Sequence, residues 1–219
     1  MLIERLILRP MIGEPVISVI MVTLGLSSVL KAIVQGIWGT DTRPFPEIFP
    51  STPIQIGPLP VSQGYIYSVV CVAILLLLFT LFFKYSRAGV AMRATAFSQQ
   101  VAQSMGISVR RMFALAWAIA AVVSAIGGIL LGGVRGGVDA ALAAIGLKVI
   151  PVVILGGLDS IIGAIVGGLI VGVLENLAGG YLDPLFGGGV KEVAPFVVLV
   201  LILMIKPYGL FGKVHIDRV

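Results

Sequence analysis

Two stretches of this chain run on without a charge for longer than a soluble fold can use. Tyr65–Phe83 covers 19 residues and Met112–Val134 covers 23, and neither contains Asp, Glu, Lys or Arg. A helix needs about 20 mostly apolar residues to cross the hydrocarbon of a bilayer. Four weaker runs repeat the pattern: Pro15–Gln35, apolar apart from Lys31; Ala140–Leu158, which holds Lys148 and Pro151; Ile161–Leu174, extended through Ala178; and Lys191–Ile205. None alternates with the period of two that a barrel strand needs. In lipid each backbone N–H and C=O must find its partner inside the protein, so helices remain. The expected fold is an all-α polytopic transmembrane helical bundle forming a single domain over 1–219. Its six spans are expected at about 15–35, 65–83, 112–134, 140–158, 161–178 and 191–205.

Only 11% of the residues are charged, against about 25% in a typical soluble domain. Mean hydropathy is +1.12. Too little polar surface exists to cover a water-soluble globule. The net charge of +5 would suggest nucleic acid in a soluble protein. Here the cations sit at the ends of apolar runs, which is the pattern of membrane orientation, so no nucleic-acid partner is expected.

Orientation follows from where those cations fall. With a cytoplasmic N-terminus, the inside segments hold Arg5, Arg9, Lys84, Arg87, Arg93, Arg110, Arg111, Lys206, Lys213 and Arg218. The outside segments hold Arg43, Arg135 and Lys191, and Lys31 and Lys148 lie within spans. Ten against three places both termini and the loop 84–111 in the cytoplasm. Arg5 and Arg9 before an apolar stretch have the look of a leader. Pro10, Glu14 and Pro15 intervene, however, and no small-x-small cleavage site follows, so the segment is expected to be retained.

The loop itself is unusual. "RAGVAMRATAFSQQVAQSMGISVRRM" has four arginines and no acid. Between Ala94 and Ile107 it is rich in helix formers, and Gly106 stands where a helix C-terminal glycine belongs. One short helix on the membrane surface is expected. Its small residues, Ala96, Ala102 and Gly106, would let another protein approach the backbone. The plainer reading is a basic loop that only fixes topology.

The runs "GVAMRATAFSQQVAQSMGIS", "VILGGLDSIIGAIVGGLIVGVLEN" and "KPYGLFG", with "ERLILRP" and "TLGLSSVL" before them, resemble the branched-chain amino-acid ABC transporter permeases. They are most similar to the first of the two permease subunits in those systems. The resemblance covers nearly the whole chain. It implies a bacterial or archaeal inner-membrane subunit working with a second permease subunit, two ATP-binding subunits and an extracytoplasmic solute-binding protein, on a small amino acid. In binding-protein-dependent importers a cytoplasmic loop carries Glu-Ala-Ala, three residues, then Gly, and docks on the ATPase. The matching positions here are Gln100, Val101, Ala102 and Gly106, the first two departing from the pattern. Family members usually have further spans before the segment resembling "ERLILRP", so a fragment, a misplaced start or a shortened member is expected.

Chemistry is not expected of this chain. No Gly-x-x-x-x-Gly-Lys-Ser/Thr loop is present, and the one Gly-Lys pair, Gly212–Lys213, has the wrong flanks. Cys71 is the only cysteine and His215 the only histidine, so no internal disulfide and no Cys/His metal cluster can form. No cofactor, metal or catalytic set is expected.

Three further features bear on transport. Ala116, Ala120, Ser124, Gly128 and Gly132 recur every fourth residue, as do Ala164, Gly168 and Gly172, beside Gly163 and Gly167. Such rows form one flat face on a helix and suit close helix packing in lipid, or hinges for alternating access. On this reading Gly168→Leu should disturb a helix contact. Pro44, Pro46, Pro50, Pro53, Pro58 and Pro60 crowd the longest outside loop, a rigid connector or a surface for the binding protein. Lys148 is expected to snorkel or to pair with Asp159 or Glu175, or else to line the translocation path with Pro151, Gly156 and Gly157. Alternatives to the importer are a stand-alone secondary carrier or channel, a urea or short-amide permease of the wider family, and a non-transporting scaffold.

Overall fold

The computed structural model describes residues 3–47, 49–50, 52–158 and 160–212. Ser51, Asp159, Lys213, His215 and Arg218 lie outside the described residues. The chain divides into two compact units, Met1–Ala140 and Ala141–Val219.

The first unit is built on three long helices: α1 (Val16–Trp38), α2 (Gln63–Tyr85) and α5 (Val109–Arg135). Their ends follow local chemistry. Gly39, at φ +84°, stops α1 and returns its N–H to the carbonyl of Gln35, the left-handed exit that favours glycine. α5 leaves through Gly136 at φ +71°. Between α1 and α2 the prolines exclude helix, and short ribbons form instead. β1 (Arg43–Pro44) pairs antiparallel with β4 (Gly137–Val138), and β2 (Ile54–Ile56) with β3 (Leu59–Val61). This segment is more than a connector, because it lies down on α5. A Cβ on Gly133 would stand 2.8 Å from the Phe49 ring, and one on Gly132 2.8 Å from Val138 and 3.3 Å from Phe45. Phe49 also stacks on Tyr67 of α2, with centroids 5.7 Å apart.

The basic segment folds as two helices rather than one. α3 (Arg87–Phe97) is capped by Ser86, whose Oγ accepts from the N–H of Gly89 at 2.9 Å. α4 (Gln99–Ser104) is capped by Ser98, which accepts from Val101 at 3.3 Å. A serine in extended conformation that caps the next helix necessarily ends the previous one.

The second unit packs α7 (Val149–Gly156), α8 (Ile161–Leu177) and α10 (Val190–Ile205). α6 (Leu142–Ile145) and a 3-10 turn, Gly146–Lys148, lead into α7; a π-type turn, Ala178–Leu182, and α9 (Asp183–Phe186) follow α8. Leu155, Val171 and Leu199 form the core, with Leu155 wholly buried.

Among the described residues four helical stretches are long and apolar enough to cross a membrane: Ile17–Trp38, Gln63–Tyr85, Val109–Arg135 and Ile161–Phe186. The other two apolar segments are shorter, Leu142–Gly156 and the 16-residue α10. At 1.5 Å per residue α10 is about 24 Å long, short of a hydrocarbon core of about 30 Å.

Candidate functional site

The closest helix contact in the second unit is made by glycine. Gly156 and Gly163 meet backbone to backbone, so that a Cβ on either would overlap the other's carbonyl. One turn on, a Cβ on Gly167 would lie 2.5 Å from the carbonyl oxygen of Val152. The packed face of α8 is therefore Gly163, Gly167 and Val171, all buried. The row Ala164, Gly168 and Gly172 is turned one position away. Gly168 would meet only Val152 at an ordinary 3.7 Å, and Gly172 has nothing within 4 Å. In α5, Gly132 receives the proline-rich segment, Gly128 has open space, and Ser124 lines a groove toward α2.

A second contact closes the end of α7. Gly157, at φ +103°, turns the chain out of the helix. The carbonyls of Leu155 and Gly156 then accept the N–H groups of Leu210, at 2.8 Å, and Phe211, at 3.1 Å. Gly209 and Gly157 allow the approach: a Cβ on Gly209 would sit 2.5 Å from the Ile154 oxygen and 2.8 Å from the Gly157 nitrogen, and one on Gly157 would sit 2.5 Å from the Gly212 nitrogen. The motif "KPYGLFG" thus has a physical task, a backbone clamp over α7. Sequence reasoning did not find it. The signal was two glycines three residues apart, beyond an apolar helix, facing a Gly-Gly pair far upstream.

Of the residues considered for a translocation path, Pro151 is fully buried, and Gly156 and Gly157 sit in this seam and clamp. Lys148 lies in the turn before α7, with its Nζ 3.1 Å from Glu175 Oε1. The distance is that of an ion pair, although that oxygen forms no hydrogen bond of proper angle. Both side chains are mostly withdrawn from solvent, at 29% and 15% exposure. Removing one partner of such a pair leaves the other charge poorly solvated. Lys148→Met should therefore destabilise the chain by about 1–3 kcal/mol, less than for a fully buried pair. Adding Glu175→Gln should recover most of that. Thermal melts in detergent check it, and equal melting points for the single and double variants would refute the pairing.

In the basic segment, Ala102 is buried and anchors α4, while Phe97, Val101 and Met105 are 89%, 60% and 77% exposed. Gln100 and Gly106 are exposed as well. Gly106 takes φ +78°, a Cβ placed on it would have nothing within 4 Å, and the next N–H, of Ile107, returns to the carbonyl of Ala102. It is the left-handed end of α4 that its place in the sequence predicts. No group of three or more His, Cys, Asp or Glu able to hold a metal ion occurs among the described residues.

Comparison with known proteins fits this anatomy. Residues 1–205 match the family described as branched-chain amino acid transport system / permease component. The chain is similar to the high-affinity branched-chain amino acid transport system permease protein LivH of Salmonella typhimurium, with 32% identity over 99% of the chain and 71% of the relative. It is similar to BraD of Pseudomonas aeruginosa, a permease protein of the same description, at 29% identity over the same shares. A probable LivH of Methanocaldococcus jannaschii is 33% identical over 68% of the chain and 49% of its own length. No solved structure matches.

Proposed function

We propose, for a chain that belongs to the branched-chain amino acid transport system permease family, how its parts divide the work of an importer. It is a multi-pass membrane permease subunit and not an enzyme; the ATPase is a separate subunit. The substrate is a branched-chain or related small amino acid. The observation that carries the coupling reading is the acid-free segment 84–111, which presents Phe97, Val101 and Met105 to solvent. A helix anchored by one buried alanine, with exposed apolar side chains around it, fits the groove of an ATP-binding subunit. Gln100, Val101, Ala102 and Gly106 form the centre of that contact.

The remaining partners follow from the same division. The proline-rich segment with its two ribbons is assigned to the extracytoplasmic solute-binding protein. The open row Gly168–Gly172 is assigned to a second permease subunit, since small residues let helices approach in lipid. Six spans with both termini in the cytoplasm of the inner membrane agree with the cation count, the two shorter segments crossing as part of the assembly. Lys148 is assigned to the translocation path as a partly exposed cation that a substrate carboxylate could share with Glu175, whereas the fully buried Pro151 supports the helix behind it.

Cysteine labelling tests the arrangement. In a background lacking Cys71, Ser98→Cys should react with an impermeant maleimide only in inverted vesicles, and the ATP-binding subunits should co-purify with the chain. Labelling of Ser98→Cys in intact cells would overturn the topology.

A further inference from the structure

One groove of the first unit is not absorbed by transport or coupling. Two adjoining cavities, of about 430 and 380 Å³, share Phe83, Met92 and Ala116 and so form one continuous trough bounded by α2, α3 and α5. Its two ends differ in chemistry. At one end Arg93, Thr95 and Gln99 line the wall. Thr95 is 5% exposed and its hydroxyl is spent on the carbonyl of Ala91 at 2.8 Å, which leaves Arg93 and Gln99 as the donors. From there the trough runs past Phe79 and Ala120 to Val123 and Ser124, almost wholly apolar.

Length and charge choose the occupant. Met112 and Ser124, at the two ends, are twelve residues apart on α5. That is about 18 Å of helix rise, close to half of a hydrocarbon core of about 30 Å. The trough is therefore as long as one leaflet is deep. Its polar end lies where α2 leaves the apolar run, within a segment that holds Lys84, Arg87, Arg93, Arg110 and Arg111 and no acid. A protein helix filling it would need an acidic residue at one end and an apolar face below. A phospholipid with a net negative headgroup brings both features already joined.

We propose that this trough is a binding site for one anionic phospholipid, with its phosphate at Arg93 and Gln99 and an acyl chain along Phe83, Ala116 and Ala120. The proposal rests on α2 and α5 crossing a bilayer. It does not depend on which side the loop faces. The site would tie the small helices α3 and α4 to the membrane surface.

The test is native mass spectrometry of the full chain, purified with its accompanying subunits and titrated with phosphatidylglycerol, phosphatidylcholine or inorganic phosphate. Phosphatidylglycerol should bind at least about tenfold more tightly than phosphatidylcholine, whose phosphate could make the same contact but would bring a choline cation up against Arg93. Arg93→Gln should abolish that preference and Arg93→Lys should retain it. Ala120→Phe should weaken phosphatidylglycerol by filling the trough, and free phosphate should not displace it. The proposal is overturned by equal binding of the two lipids, by an unchanged preference in Arg93→Gln, or by an equal loss in Arg111→Gln, which would mean diffuse charge. Displacement by equimolar phosphate, or cross-linking of Ala120→Cys to another polypeptide in native membranes, would overturn it too. Leu77→Cys, in a background lacking Cys71, separates the two levels of failure. If it is open to a water-soluble maleimide, the spanning reading falls. If it is protected while phosphatidylglycerol does not bind, only the site falls.

Discussion

Gly167→Leu is expected to remove the chain from the membrane fraction, whereas Gly168→Leu, one residue along, should leave it folded. The first substitution drives a side chain into the Val152 carbonyl, against which a Cβ alone would stand at 2.5 Å. Overpacking in a tight core costs about 1–3 kcal/mol. Backbone cannot rotate aside as a side chain can, so the upper end applies, and separating α7 from α8 would also uncover Leu155 and Val171. Lipid offers no force to restore the contact, because its tails are as apolar as leucine. At Gly168 the nearest atom is a Val152 methyl at 3.7 Å. Gly168→Leu should therefore spare folding and instead reduce recovery of a second permease subunit. Membrane levels and co-purified subunits, measured for both variants, separate the two contacts. Equal levels for Gly167→Leu and the parent would mean that the seam tolerates separation.

The second large effect concerns energy supply. Val101→Asp should leave the chain in the membrane and cut both co-purification of the ATP-binding subunits and transport-stimulated ATP hydrolysis by more than about tenfold. Val101 is 60% exposed, so the free chain loses little. At an interface, burying a carboxylate without a partner costs several kcal/mol, and each 1.4 kcal/mol is about a factor of ten in affinity. Gly106→Asp should act in the same direction. There the left-handed backbone at φ +78° adds only a small conformational cost, since Asp and Asn tolerate it better than other residues with a Cβ. Gly106→Asn, which shares that tolerance and carries no charge, should be milder. Parental ATP hydrolysis in Val101→Asp would exclude α4 from the coupling contact.

What could be read beforehand depended on whether the signal was local. The uncharged runs placed α2 and α5 within three residues of their observed ends, because length and apolarity alone define such helices. The exit of α4 at Gly106 was legible for the same reason. The break at Ser98 was not, since a serine among alanines and glutamines is also an acceptable helix residue. The rows of small residues marked α8 as a packing helix but not its phase. The row through Gly163 and Gly167 and the row through Ala164 and Gly168 differ by one position, about 100° of rotation. A helix apolar all round carries no polar face to choose between them. The landing of Phe45 and Phe49 on α5 and the clamp over α7 join distant segments, and nothing near either partner announces the other.

That clamp also imposes an order in time. The carbonyls of Leu155 and Gly156 wait for partners that lie downstream at Leu210 and Phe211. A ribosome adding about 5–20 residues per second takes roughly 3–11 s to cover the roughly 55 residues from Leu155 to Leu210. Within that interval α8 is completed and its glycine seam with α7 is free to close, while the last turn of α7 has two acceptors still without these donors. The clamp is thus the last of these contacts that synthesis allows to form. A ribosome that stalls within α10 would leave a nascent protein in which the seam can form while the end of α7 is still open.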